Sequence, residues 1–155
     1  MTENGDRIRQ NTASDVNACL DKQMERRIRF YSTQTRETIS ERIDELDREW
    51  DIERVLFVNA STLAMTGLAL GLTRDKRFFA IPGVVLPFLF LHGVQGWCPP
   101  MPILRRMGFR SRNEIDREKY ALKALRGDFD ALTELGVEEA DKMPRAETVF
   151  DAVQE

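Results

Sequence analysis

VLFVNASTLAMTGLALGL (residues 55–72) and FFAIPGVVLPFLFLHGVQGW (residues 78–97) decide the fold of this 155-residue chain. The first run has 18 residues and no formal charge. As a helix rising about 1.5 Å per residue it is roughly 27 Å long, just enough for a hydrocarbon core of about 30 Å. The second has 20 residues, again without a fixed charge, and eleven of them are Phe, Leu, Ile or Val. Such residues each favour insertion by roughly 0.3 to 0.6 kcal/mol, which outweighs Pro82, Pro87, His92 and Gln95. The competing reading is a helical pair buried in a soluble core, because Asn59, Ser61, Thr62 and Thr66 make the first run fairly polar. The rest of the chain offers too little apolar sequence to wrap two such helices. The expectation is therefore an all-α protein: a membrane helical hairpin of two transmembrane helices, residues 55–112 with an interfacial segment, flanked by amphipathic cytoplasmic helices.

Thr73 to Lys76, followed by Arg77, leaves room only for a tight antiparallel turn, so the two spans are neighbours. A turn centred between Asp75 and Lys76 sets Asn59 opposite His92 and Leu56 opposite Gln95. Asn59 and His92 are expected to form an interhelical hydrogen bond, with a proton-accepting or ligand-binding His92 as the sharper alternative. Pro82 and Pro87 should loosen the second helix, freeing carbonyls within reach of Thr62 or Thr66. Ala60, Ala64, Gly67 and Gly71 form a small-residue face on the first span. Such a face permits close van der Waals approach, either by the second helix or by another copy of the chain.

The flanks are polar. The chain is 32% charged with a net charge of −3, a balance that does not suggest nucleic-acid binding. Residues 1–15 lack the apolar core of a secretory signal and are expected to be a disordered tail. Residues 16–54 contain no Gly or Pro and carry apolar positions Leu20, Met24, Ile28 and Tyr31, then Ile39, Ile43, Leu46 and Trp50. This pattern predicts an amphipathic, coiled-coil-like helix with a polar interruption at Ser32–Thr35 and a start near Ser14 or Asp15. The second stripe suits pairing with another copy or packing on a C-terminal helix. Trp50 and Arg54 are expected at the headgroups.

In residues 113–155 a cytoplasmic helical tail is expected. Ser111 with Glu114 predicts a capping box opening a helix to about Arg126, with Ile115, Leu122 and Leu125 on one face and Gly127 as its stop. Gly127 also explains Arg126-Gly127-Asp128 without any adhesive role. Phe129, Leu132 and Leu135 extend the stripe, and beyond Gly136 the sequence is acidic, with a short helix after Pro144 and expected mobility.

Two spans put both termini on one side of a membrane. Nine Arg residues flank the spans there (Arg36, Arg42, Arg48, Arg54, Arg105, Arg106, Arg110, Arg112 and Arg117), against three cations in the turn. The termini are expected to be cytoplasmic.

GWCPPMPILRRMG, residues 96–108, preceded by LHGVQ, resembles the end of the YgaP-like transmembrane domain, a two-helix family best known fused to rhodanese sulfurtransferases. The resemblance covers roughly residues 50–112. It implies an inner-membrane hairpin with cytoplasmic flanks and a tendency to self-associate. It does not imply rhodanese chemistry, which needs a separate domain and an active-site loop written CRxGxR. Cys19 is followed by LDKQM and Cys98 by PPMPI.

No complete catalytic constellation is present, and no cofactor is expected. The one candidate thiol is Cys98, as a persulfide carrier or redox sensor or, more blandly, as a small residue beside an obligatory Pro turn. One His and two distant Cys are too few for a metal site. A structural disulfide is not expected either. Arg105, Arg106, Arg110 and Arg112, interleaved with Met101, Ile103, Leu104, Met107 and Phe109, are expected to hold lipid headgroups. The functional expectation is a non-enzymatic membrane anchor and scaffold that self-associates and presents helices to a cytoplasmic protein partner. The alternative is a membrane component of sulfur or redox metabolism using Cys98.

Overall fold

The computed structural model describes residues 6–129. Every regular element among them is helical: α1 Arg7–Gln10, α2 Ser14–Tyr31, α3 Arg36–Arg48, α4 Ile52–Thr73, a 3-10 turn Lys76–Phe79, α5 Ala80–Gln95, α6 Met101–Arg106 and α7 Arg112–Arg126. The elements fall into two compact units, 6–24 with Glu49–Ile115 and Glu25–Arg48 with 116–129.

The first unit contains the hairpin. Asp51 caps α4 by accepting the Arg54 N–H at 2.7 Å, and the Arg54 guanidinium lies 4.4 Å over the Trp50 ring. At the far end Asp75 caps the 3-10 turn through the Arg77 N–H at 2.9 Å. The small-residue face closes onto the second helix. A Cβ on Gly67 would lie 2.7 Å from Pro82 Cδ, and one on Gly71 would lie 2.9 Å from the Phe79 ring. Two of its members are therefore occupied inside the hairpin, at nearly the register the short turn predicts. α4, and the continuous run Lys76–Gln95 formed by the 3-10 turn and α5, are long and apolar enough to cross a membrane. Only 17% of the apolar window ending in α4 and 6% of that ending in α5 is buried, so the rest of the described chain leaves most of this apolar surface uncovered.

Pro82 lies in the first turn of α5, where its missing N–H would have had no helical partner; Pro87 is the interior proline. The expected rescue by Thr62 does not occur. Its hydroxyl bonds back to the Val58 carbonyl at 2.7 Å, the nearer acceptor on its own helix.

In the second unit, the polar interruption ends α2 because Ser32 and Thr33 hydroxyls return to the carbonyls of Arg29 and Phe30, at 2.8 and 3.0 Å. The stripe Ile39, Ile43 and Leu46 is buried within the chain, as is Leu122 of α7. Ion pairs join the same elements: Glu118, fully buried, takes Arg27 at 2.9 Å and Arg42 at 3.0 Å. Arg126 adds a hydrogen bond to Ser40. Within the chain, polar links tie the helix that carries this stripe to the C-terminal helix. Gly127, at φ 94°, ends α7 as the Asp128 N–H reaches the Lys123 carbonyl and its own N–H the Ala124 carbonyl. Leu132, Leu135 and the expected helix after Pro144 lie outside the described residues.

Candidate functional site

The site is built where α5 ends. A helix terminus leaves four carbonyls without intrahelical donors, and here each finds one. Gly96, in the left-handed region at φ 73°, turns its N–H to the His92 carbonyl at 2.8 Å. Arg7 donates to the Gly93 and Val94 carbonyls, both at 3.1 Å, and Asn11 donates to Gln95 at 2.9 Å. A cation at this end also opposes the helix dipole.

These donors come from the segment expected to be a disordered tail, so that expectation is corrected for residues 6–15. Asp6 caps α1 by accepting the N–H groups of Ile8 and Arg9, and Ile8 is buried with Ile52, Leu56, Cys98 and Met101. The segment is ordered by partners in the hairpin, which its own polar composition does not reveal.

Behind it lies a polar network inside the first unit. The capping box forms as expected: the Ser111 N–H meets Glu114 Oε2 at 2.9 Å, and the Glu114 N–H meets Ser111 Oγ at 3.3 Å. Glu114 also binds Arg9 at 2.6 Å and Arg105 at 2.6 Å. Arg105 donates further to Thr12, Asn17 and the Phe109 carbonyl, while Arg9 forks onto Asp21 at 2.8 and 2.9 Å. Ser111 Oγ donates to Asp6. Burial pushes the Glu114 carboxyl up, but Arg105, the Ser111 N–H and Arg9 together outweigh it and hold the group below the ordinary carboxylate range. The Asp21 hydrogen bond, with Glu114, holds Arg9 above the usual guanidinium value against its own desolvation.

Arg105 and Arg110 are thus not headgroup ligands. Arg105 is 1% exposed on Glu114, and Arg110 is 5% exposed and paired with Glu49. Carboxylates of the same unit meet their guanidinium forks more completely than a headgroup at the surface could. Arg106 and Arg112 stay exposed.

Cys98 lies in the apolar cluster at 4% exposure. Burial pushes its thiol up, opposed in part by the Met101 N–H. Cys19 is exposed, and both cysteines are free. Among the described residues no group of three or more His, Cys, Asp and Glu side chains is placed to hold a metal ion.

Asn59 and His92 do line one cavity, a groove of about 520 Å³ between α4 and α5 that Cys98 and Leu104 close at one end. The expected bond between them does not form. His92 is buried with Nδ1 unpartnered, and Asn59 is exposed across the groove, because the tight helix contact is made at Gly67 and Gly71 instead. Ala60 lines the same groove, and Ala64 is half-buried. A second cavity of about 350 Å³ is lined by Asp6, Arg7, Glu53, His92 and Asn113.

The residues missed from the sequence are Asp6, Arg7, Arg9, Asn11 and Asn17. The signal that could have found them is Asp6 capping a short turn around a lone Ile8. No protein-family model, curated protein or solved structure matches the chain.

Proposed function

We propose that this protein is a membrane anchor and scaffold: α4 and α5 insert as a hairpin from the cytoplasmic side of an inner membrane, and the charged helices α2, α3 and α7 remain in the cytoplasm to meet a protein partner. The observation that carries the reading is the partition of side chains along the hairpin. Met65, Leu72, Phe90, Val84 and Leu63 are each more than half exposed. In water an apolar surface of this extent would be an aggregation liability. The polar network, by contrast, gathers at the end marked by Asp51 and Gly96, where every terminal carbonyl of α5 has a donor. Trp50, Trp97, Ile103 and Met107 are exposed beside that end, as aromatic and interfacial residues are at a headgroup boundary.

The resemblance to the YgaP-like domain leads to the same reading. Self-association would use faces other than Gly67 and Gly71, which are occupied within the hairpin. Nothing favours the carrier reading of Cys98, whose thiol is enclosed and held in its neutral form. The test is extraction of isolated membranes at alkaline pH in carbonate. The chain should stay in the pellet with integral proteins; release into the supernatant would overturn the anchor.

A further inference from the structure

The α4–α5 groove contains unused hydrogen-bonding capacity. His92 lines it at 6% exposure; its Nδ1 is shut off from the groove with no partner, which leaves Nε2 as the ring nitrogen that can donate there. Across the groove, the amide of Asn59 makes no side-chain hydrogen bond among the described residues. In hydrocarbon neither group has water to turn to. The lining includes no Asp, Glu, Lys or Arg, so a charged phospholipid headgroup finds no complement there. An uncharged polar head does.

The shape narrows the choice. The volume of about 520 Å³ falls in the range of small-molecule pockets, roughly 300–1,000 Å³. Phe88, Pro99 and Pro100 contribute flat, rigid walls, with Leu63 and Val84 continuing an apolar surface along the helices. Asn59 and His92 stand on facing helices at one level of the hairpin register. Two donors on opposite walls match a planar ring with an acceptor on each edge better than a glycerol lipid, whose oxygens gather at one end. A neutral imidazole supplies one N–H and an amide two.

We propose that this groove binds a quinone carrying an alkyl or prenyl tail, its ring between α4 and α5, its carbonyls accepting from His92 and Asn59, and its tail along Leu63 and Val84. The site rests on the insertion proposed above, since such quinones are dissolved in the bilayer.

The experiment uses the full chain in quinone-free phospholipid nanodiscs, first checked for incorporation, with binding of decylubiquinone measured against empty discs. Saturable binding is expected. His92→Leu should weaken it by about threefold to tenfold, the value of one hydrogen bond, and His92→Gln should restore most of it, with both variants giving the wild-type helical spectrum. Dioctanoylglycerol should not compete. Uptake no greater than by empty discs, equal binding by His92→Leu, or equal competition by dioctanoylglycerol would each overturn the quinone site. Failure of the wild-type chain to incorporate would instead remove the insertion reading, and the site with it, before any quinone is added.

Discussion

Glu114 shows how one side chain can be legible and illegible at once. Its capping box with Ser111 is a local pattern, readable from a spacing of three residues. Its ion pair with Arg9 spans 105 residues, and no local pattern announces it. Removing one member of such a buried cluster leaves guanidinium charge uncompensated, so Glu114→Gln should cost about 3–5 kcal/mol at neutral pH. Because Glu114 titrates below its ordinary value, its contribution is complete above the unfolded carboxyl value of about 4.3 and is lost as pH falls through the folded one. Thermal unfolding in mild detergent should show a large gap between wild type and variant at pH 7 and a narrowing gap below about pH 4. Equal midpoints at pH 7 would contradict the role given to the network. Cys98 offers a second check. With its thiol pushed up and enclosed, maleimide at pH 7 should label Cys19 readily and Cys98 only after denaturation. Comparable rates for the two in the native protein would reopen the carrier reading.

At the scale of the element, local chemistry was readable and choice of partner was not. The break at Ser32–Thr35, the Asp51 cap and the Gly127 stop follow from side-chain oxygens and a left-handed glycine, which act within a few residues. The stripe Ile39, Ile43 and Leu46 named a buried face without naming its partner, since a second copy and α7 satisfy the same periodicity. α1 was hidden because its order comes from the terminal carbonyls of α5, acceptors that belong to a distant element. The glycines of the hairpin make a sharper test. At Gly67 an added Cβ meets Pro82 and Ile81 below 3.0 Å, whereas at Gly83 nothing lies within 4 Å. Gly67→Leu should therefore destabilise the hairpin by about 1–3 kcal/mol through overpacking, while Gly83→Leu leaves the unfolding midpoint near wild type. A loss confined to Gly83→Leu would place the helix contact on the other side of α5.

For the molecule as a whole, the apolar windows were the strongest signal, because a charge-free run of span length suits a bilayer and little else. What the sequence could not supply was the fate of the arginines around them: four looked alike as headgroup ligands, yet Arg105 and Arg110 turn onto Glu114 and Glu49, and Arg106 and Arg112 remain exposed. This matters little for orientation, since carboxylates contribute little to the positive-inside bias and the paired arginines still count. Both flanks should then lie in the cytoplasm, with the turn Arg74–Arg77 on the opposite side. The turn's own three cations make this a real test rather than a formality. Single-cysteine chains at Arg74 and at Arg112, both exposed positions, prepared with Cys19 and Cys98 replaced, separate the outcomes. In intact cells a membrane-impermeant maleimide should label the Arg74→Cys chain and reach the Arg112→Cys chain only after the membrane is opened. Labelling of Arg112→Cys alone would invert the hairpin and move the charged helices out of the cytoplasm. Labelling of both before opening would mean that the chain does not cross, and that its exposed apolar face is covered by protein rather than lipid.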